Sequence, residues 1–216
     1  MTRFSALLLL LFAFSLSVTA QRSVVGSGKL IKQERSLDDF SGLDISGAVQ
    51  ATITYGSAYR VEITADDNLV DHVETEVRGE RLVIKMKSRY SYNNATVRAT
   101  VVMPYLKEVR GSGASRLVIE GFQQAGKSIE LDVSGATNVS FKDSRAGMVD
   151  LNASGAASID LTGIPVEQAK IEVAGASSVK LNASDHVRGN ASGASSVRVS
   201  GGASIDVESS GASRVR

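Results

Sequence analysis

Glu130, Asp132, Asp150 and Lys170 are the residues whose types and spacing come nearest to a reaction centre. Glu130, Asp150, Lys170, Arg188 and Asp206 each lie five residues before a glycine that opens a Gly-Ala step. If the segments around those steps stack, the five side chains form one outward column, and Asp132 joins the same face two residues along. Glu130, Asp132 and Asp150 then make a candidate Ca²⁺ site, since carboxylate oxygens are the ligands this hard cation takes. Lys170 beside them would be a base able to abstract a proton. That is the chemistry of a polysaccharide lyase or hydrolase on a repetitive β scaffold. The plainer alternative is a solvated charge ladder, in which Asp150–Lys170 and Arg188–Asp206 are weak cross-strand pairs. The plainer alternative is adopted: no catalytic residue, cofactor or metal is assigned, and the calcium site is kept only as a secondary possibility.

The remaining candidates are sparser. The two histidines are His72 and His186, and His186 follows Asp185. A triad needs an activated nucleophile as well, and no Gly-x-Ser-x-Gly elbow is present. There is no cysteine, so thiol catalysis, thiolate metal sites and disulfides are excluded. Gly26–Lys29 lacks the spacing of a phosphate loop. The segment Ser88–Arg98 concentrates Tyr90, Tyr92, Asn93 and Asn94, a composition suited to contacting a sugar or a protein. These four are the candidate binding residues.

The elements that position these residues are set by a repeat. Ser-Gly-Ala or Ala-Gly-Ala steps recur with glycines at Gly113, Gly135, Gly155, Gly175, Gly193 and Gly211, 22, 20, 20, 18 and 18 residues apart. Ser46-Gly47-Ala48 is an outlying copy. Four and six residues after the glycines stand pairs such as Val139 and Phe141, Ile159 and Leu161, Val179 and Leu181. Spacing of two marks strands with one buried face. A period near twenty with this pattern predicts stacked coils, each a strand, a small-residue corner and a second strand. The glycines are the corners, where φ > 0 is needed. The expected fold is all-β: a parallel β-helix over residues 36–216 with coils of roughly 18–22 residues, wider and less regular to about residue 110.

Composition bounds the rest. The 216 residues carry 24 basic and 23 acidic side chains, a net charge of +1. This balance gives no argument for nucleic acid as a partner. Residues 1–20 pair a basic start at Arg3 with an apolar run and Val18-Thr19-Ala20, the pattern of a secretory signal peptide. Residues 21–35 are expected to form a tail or cap, and no transmembrane segment is expected in the mature chain.

The segments "FSGLDISGAVQATITYG", "DDNLVDHVETEVRGERLVIKM", "VVMPYLKEVRGSGASRLVI" and "GGASIDVESSGASRVR" together resemble the DUF2807 family, the putative auto-transporter adhesin, head GIN domain group, over roughly residues 36–216. The resemblance implies an exported right-handed β-helical protein of bacterial envelopes and no known catalytic or ligand-binding residues. The functional expectation is a non-enzymatic envelope or cell-surface protein, located in the periplasm, on the outer membrane or outside the cell. It would bind a glycan or a surface protein in the manner of an adhesin. The alternatives are the lyase or hydrolase above and a structural periplasmic assembly component.

Overall fold

The computed structural model describes residues 22–216; the signal-peptide expectation falls outside them. Among the described residues nineteen strands follow one another: β1 (Arg22–Val25), β2 (Leu30–Arg35), β3 (Gly42–Ile45), β4 (Gln50–Tyr55), β5 (Arg60–Asp66), β6 (Val73–Arg78), β7 (Arg81–Met86), β8 (Tyr90–Asn93), β9 (Val97–Met103), β10 (Glu108–Gly111), β11 (Arg116–Glu120), β12 (Gln123–Val133), β13 (Asn138–Lys142), β14 (Arg145–Ala153), β15 (Ser158–Val173), β16 (Ser178–Ala191), β17 (Ser196–Ser200), β18 (Ser204–Ser209) and β19 (Arg214–Val215). A 3₁₀ turn, Val70–His72, precedes β6. Among the described residues no helix is long and apolar enough to cross a membrane.

Seventeen of these strands form one mixed sheet, and β1 and β8 form a separate pair. The large sheet runs as two ladders around one core. The first ladder is ordered β6, β7, β3, β10, β12, β14, the second half of β15, the second half of β16, and β18. The second is ordered β2, β5, β9, β4, β11, β13, the first half of β15, the first half of β16, β17 and β19. The long, bent strands β15 and β16 pass from one ladder to the other, which makes the two ladders a single sheet.

The expected right-handed parallel β-helix is corrected by this pairing. The sheet mixes parallel and antiparallel neighbours: β2 with β5, β5 with β9, and β6 with β7 are antiparallel. The chain before Glu108 does not wind onward coil after coil; it doubles back. Arg78 pairs with Arg81, leaving Gly79 and Glu80 as a two-residue loop with φ of 53° and 60°. Positive φ at both central residues is the type I′ turn whose twist suits a hairpin. As a result β7 and β9 lie beyond β3 and β4, away from β10 and β11. Spatial order therefore departs from chain order.

Two features hold the stack. Aliphatic side chains line up strand over strand inside it: Leu82, Leu43, Val109, Leu131, Leu151 and Ile171 are consecutive register partners in the first ladder, all within 1% of full burial. Leu117, Val139, Ile159, Val179 and Val197 do the same in the second. The corners stack as well. Ala136 N–H donates to Gly113 O at 2.7 Å, Ala156 N–H to Gly135 O at 2.9 Å, and Ala114 N–H to Gly47 O at 2.8 Å. The corner glycines from Gly113 to Gly211 have φ between 68° and 78°. A Cβ on Gly135 would lie 2.6 Å from Gly113 O, so the close approach excludes a side chain independently of φ.

Where a hydroxyl closes a corner, which it does not at Gly155 with Ala157 two residues on, it is not the serine before the glycine. It is the residue two after it: Ser115 Oγ donates to Ser112 O at 2.8 Å, Thr137 Oγ1 to Ser134 O at 2.8 Å, and Ser177 Oγ to Ala174 O at 2.9 Å. Ser115, Thr137, Ser177 and Ser195 are buried. The local bond satisfies a carbonyl that the turn takes out of the ladder.

Candidate functional site

Strand alternation turns every second residue of the first ladder outward, and the register aligns those residues in columns, two of which carry the charges. One runs Arg81, Gly42, Glu108, Glu130, Asp150, Lys170, Arg188 and Asp206. The other runs Asp44, Arg110, Asp132, Asn152, Glu172, Asn190 and Glu208. Between the second column and the corner residues Ser112, Ser134, Ser154 and Ser192 lies an open groove of about 530 Å³. It crosses successive strands about 4.8 Å apart, so its polar groups recur at near-equal steps.

The groups in the groove are tied to one another. Asn152 Nδ2 donates to Asp132 Oδ1 at 3.1 Å. Asn190 Nδ2 donates to both Glu172 carboxylate oxygens at 3.1 Å. Arg110 Nε donates to Glu108 and lies 3.5 Å from Asp132 Oδ2. Glu108 beside it holds the guanidinium more firmly protonated than usual. Among the described residues nothing donates to the amide carbonyl of either bonded asparagine, and carboxylates accept only. The groove is therefore rich in acceptors and fixed in geometry.

The reactive candidates read from the sequence separate in space. Glu130 and Asp132 do come together, joined by Glu108: oxygens of these three carboxylates lie within 4.8 Å of one another. Asp150 belongs to a different contact, 3.5 Å from Lys170 Nζ. Arg110 and Arg81 both bond Glu108, so the carboxylate group is already held by cations. Glu108 was legible, because it too stands five residues before a corner glycine. The second column was equally legible at three residues before each glycine. His186 and Asp185 form no dyad: His186 Nδ1 is 2.7 Å from Ser204 Oγ, while Asp185 accepts from Gln168.

Tyr90, Tyr92, Asn93 and Asn94 lie apart from the groove, on and just after β8, which pairs with β1 outside the large sheet. The Tyr90 ring stands edge-on to His72 at 4.8 Å, and the Tyr92 ring at 5.7 Å. Tyr92 Oη donates to Lys87 O at 3.0 Å and is 3.0 Å from His72 Nδ1. With its one proton committed to Lys87 O, Tyr92 accepts from His72, which fixes the proton on Nδ1. Burial, then the Tyr90 and Glu74 charges, raise the Tyr92 phenol above its ordinary value. Asn93 and Asn94 are exposed, and Asn93 Nδ2 donates to Ser23 Oγ at 2.8 Å. Asp66, 1% exposed, secures the neighbourhood by accepting from Gly28 N at 2.7 Å and Thr96 N at 2.8 Å.

The second ladder presents a different surface. One of its outward register columns runs Lys32, Thr64, Arg98, Gln50, Arg116, Asn138, Ser158, Ser178, Ser196 and Arg214. It contains three arginines and no carboxylate, the reverse of the groove.

Comparison with known proteins adds the following. A family model described as "Putative auto-transporter adhesin, head GIN domain" matches residues 39–203. No curated protein matches the chain. Among solved structures, a putative adhesin from Bacteroides fragilis is similar at TM-score 0.66 and 16% identity, covering 89% of this chain and 98% of its own. A putative adhesin from Parabacteroides merdae is similar at 0.53 and 20% identity, covering 90% and 98%. A structure titled putative lipid binding protein, from Parabacteroides distasonis, is similar at 0.53 and 16%, again covering 90% and 98%. At these identities the likeness concerns the fold.

Proposed function

We propose an adhesin-type role for this chain, which belongs to the putative auto-transporter adhesin, head GIN domain family: an exported envelope protein that holds an extended, hydroxyl-rich glycan along the groove of the first ladder. The observation that carries the proposal is the pair of locked amide–carboxylate couples, Asn152 with Asp132 and Asn190 with Glu172. They repeat along one open groove at the step of the strands. Sugar hydroxyls donate to such acceptors. The groups are held before binding, which lowers the ordering cost of association. Asp44, Asp132 and Glu172 line the groove, and its cation Arg110 is already engaged. That balance favours a neutral glycan over a uronate polymer. The 20 N-terminal residues, with the pattern of a secretory signal, support export.

A glycan array probed with the purified protein, followed by titration of the strongest neutral oligosaccharide, tests this. Wild type should bind saturably and N152A/N190A about tenfold more weakly, the loss of about 1.4 kcal/mol. Undiminished binding by the double variant would remove the groove from the account. Calcium-dependent release of unsaturated sugars would point to the lyase instead.

A further inference from the structure

We infer that the second ladder carries a separate oxyanion-binding strip, centred on Arg98 and Arg116, that takes an acidic polysaccharide. The two arginines stand on strands remote in sequence but separated in space by one strand. Arg98 of β9 is the register partner of Gln50 of β4, and Gln50 is the partner of Arg116 of β11. At about 4.8 Å between neighbouring strands, the two arginine backbones lie roughly 10 Å apart across Gln50. Side chains of that length either converge on one anionic group or grip two successive ones.

Both arginines are exposed, and among the described residues neither guanidinium has a hydrogen-bond or ion-pair partner. Other cations are paired on both ladders: Arg81, Arg110 and Lys170 in the first, and Arg60, Lys142 and Lys180 in the second. Gln50, Thr52 and Thr100 line a hollow of about 180 Å³ between the two arginines. They add an amide and two hydroxyls to the two guanidinium forks. The fork geometry matches a carboxylate or sulfate group bidentately. The column that holds the arginines continues as Asn and Ser to Arg214, with no apolar side chain to enter a lipid layer. It therefore suits a hydrated, flexible polyanion. The near-neutral total charge hides this strip; the carboxylates of the same ladder, Glu34, Glu62, Glu120 and Asp160, are paired with other cations.

The test is biolayer interferometry of the purified protein against polygalacturonate, dextran sulfate, neutral dextran, and vesicles of phosphatidylcholine with phosphatidylglycerol, at about 50 and 200 mM salt. The two polyanions should bind, more weakly at the higher salt, and dextran should not bind to this strip. R98E/R116E should weaken polyanion binding at least about tenfold, and R98Q/R116Q should weaken it less while leaving the circular dichroism melt unchanged. R188E, which changes an exposed arginine of the first ladder, should stay within about twofold. The inference is overturned if R98Q/R116Q and R98E/R116E bind as wild type, if R188E costs as much as either, or if vesicles bind and the polymers do not. N152A/N190A should leave polyanion binding intact, so failure here and failure of the groove proposal are distinguishable.

Discussion

Alanine at two corner glycines isolates what the stacked backbone contributes to stability. Gly47 and Gly135 occupy the same corner position, with φ of 93° and 68°. They differ in what lies beneath. A Cβ on Gly47 meets nothing within 4 Å, whereas one on Gly135 lies 2.6 Å from Gly113 O and 3.1 Å from Gly113 N. Gly47→Ala therefore suffers only the left-handed backbone cost, about 1–2 kcal/mol. Gly135→Ala suffers that cost and must also displace a carbonyl that accepts the Ala136 N–H at 2.7 Å. Weakening that bond adds about 0.5–1.5 kcal/mol, and relieving the overlap adds more, for a total of about 2–4 kcal/mol. Urea unfolding followed by far-ultraviolet circular dichroism gives both values from the shift in midpoint at a shared slope. Equal losses for the two variants would refute the claim that close carbonyl approach, rather than φ alone, demands glycine in the stack.

Further outcomes follow from single contacts. Ser177→Ala removes a buried hydroxyl bonded to Ala174 O and should cost about 1 kcal/mol, while Ser195→Ala, whose buried Oγ has no partner among the described residues, should be neutral or stabilising in the same urea assay. Asp66→Ala strips the acceptor from Gly28 N and Thr96 N and should cost about 2–4 kcal/mol, with hydrogen exchange accelerating first in β1 and β8. The Tyr92 phenol is raised above its ordinary 10.0, so its contribution is complete below pH 10 and is lost as pH rises through the folded value; alkaline unfolding monitored by circular dichroism should show this loss in wild type and not in Tyr92→Phe. Calcium at millimolar concentration should leave the melting temperature unchanged, because Arg110 and Arg81 already bond Glu108; a calcium-dependent rise would revive the carboxylate group as a metal site.

What the sequence disclosed, and what it concealed, follows from where the period holds. From Glu108 onward the Gly-Ala steps number the strands, so the outward charges and inward aliphatics could be assigned by counting from each glycine. Before Glu108 the count fails. The hairpin turn there is Gly79-Glu80, and a glutamate at positive φ announces itself far less than Asn-Gly would. That turn lets β7 return beside β3, and β9 then falls beside β4. The juxtaposition of Arg98, Gln50 and Arg116 depends on this reversal and has no signature in the chain. The corner hydroxyls were concealed for a different reason. Both serines that flank a Gly-Ala step are small and polar, and only the backbone geometry decides which one turns inward to cap the corner.

The most direct trial of the groove is hydrogen–deuterium exchange mapped with and without the best-binding neutral oligosaccharide. Protection should appear in β12, β14, β15 and β16 around Asp132, Asn152, Glu172 and Asn190, and should be absent from β8. Protection confined to Tyr90–Asn94, or to the arginine strip of the second ladder, would contradict the account.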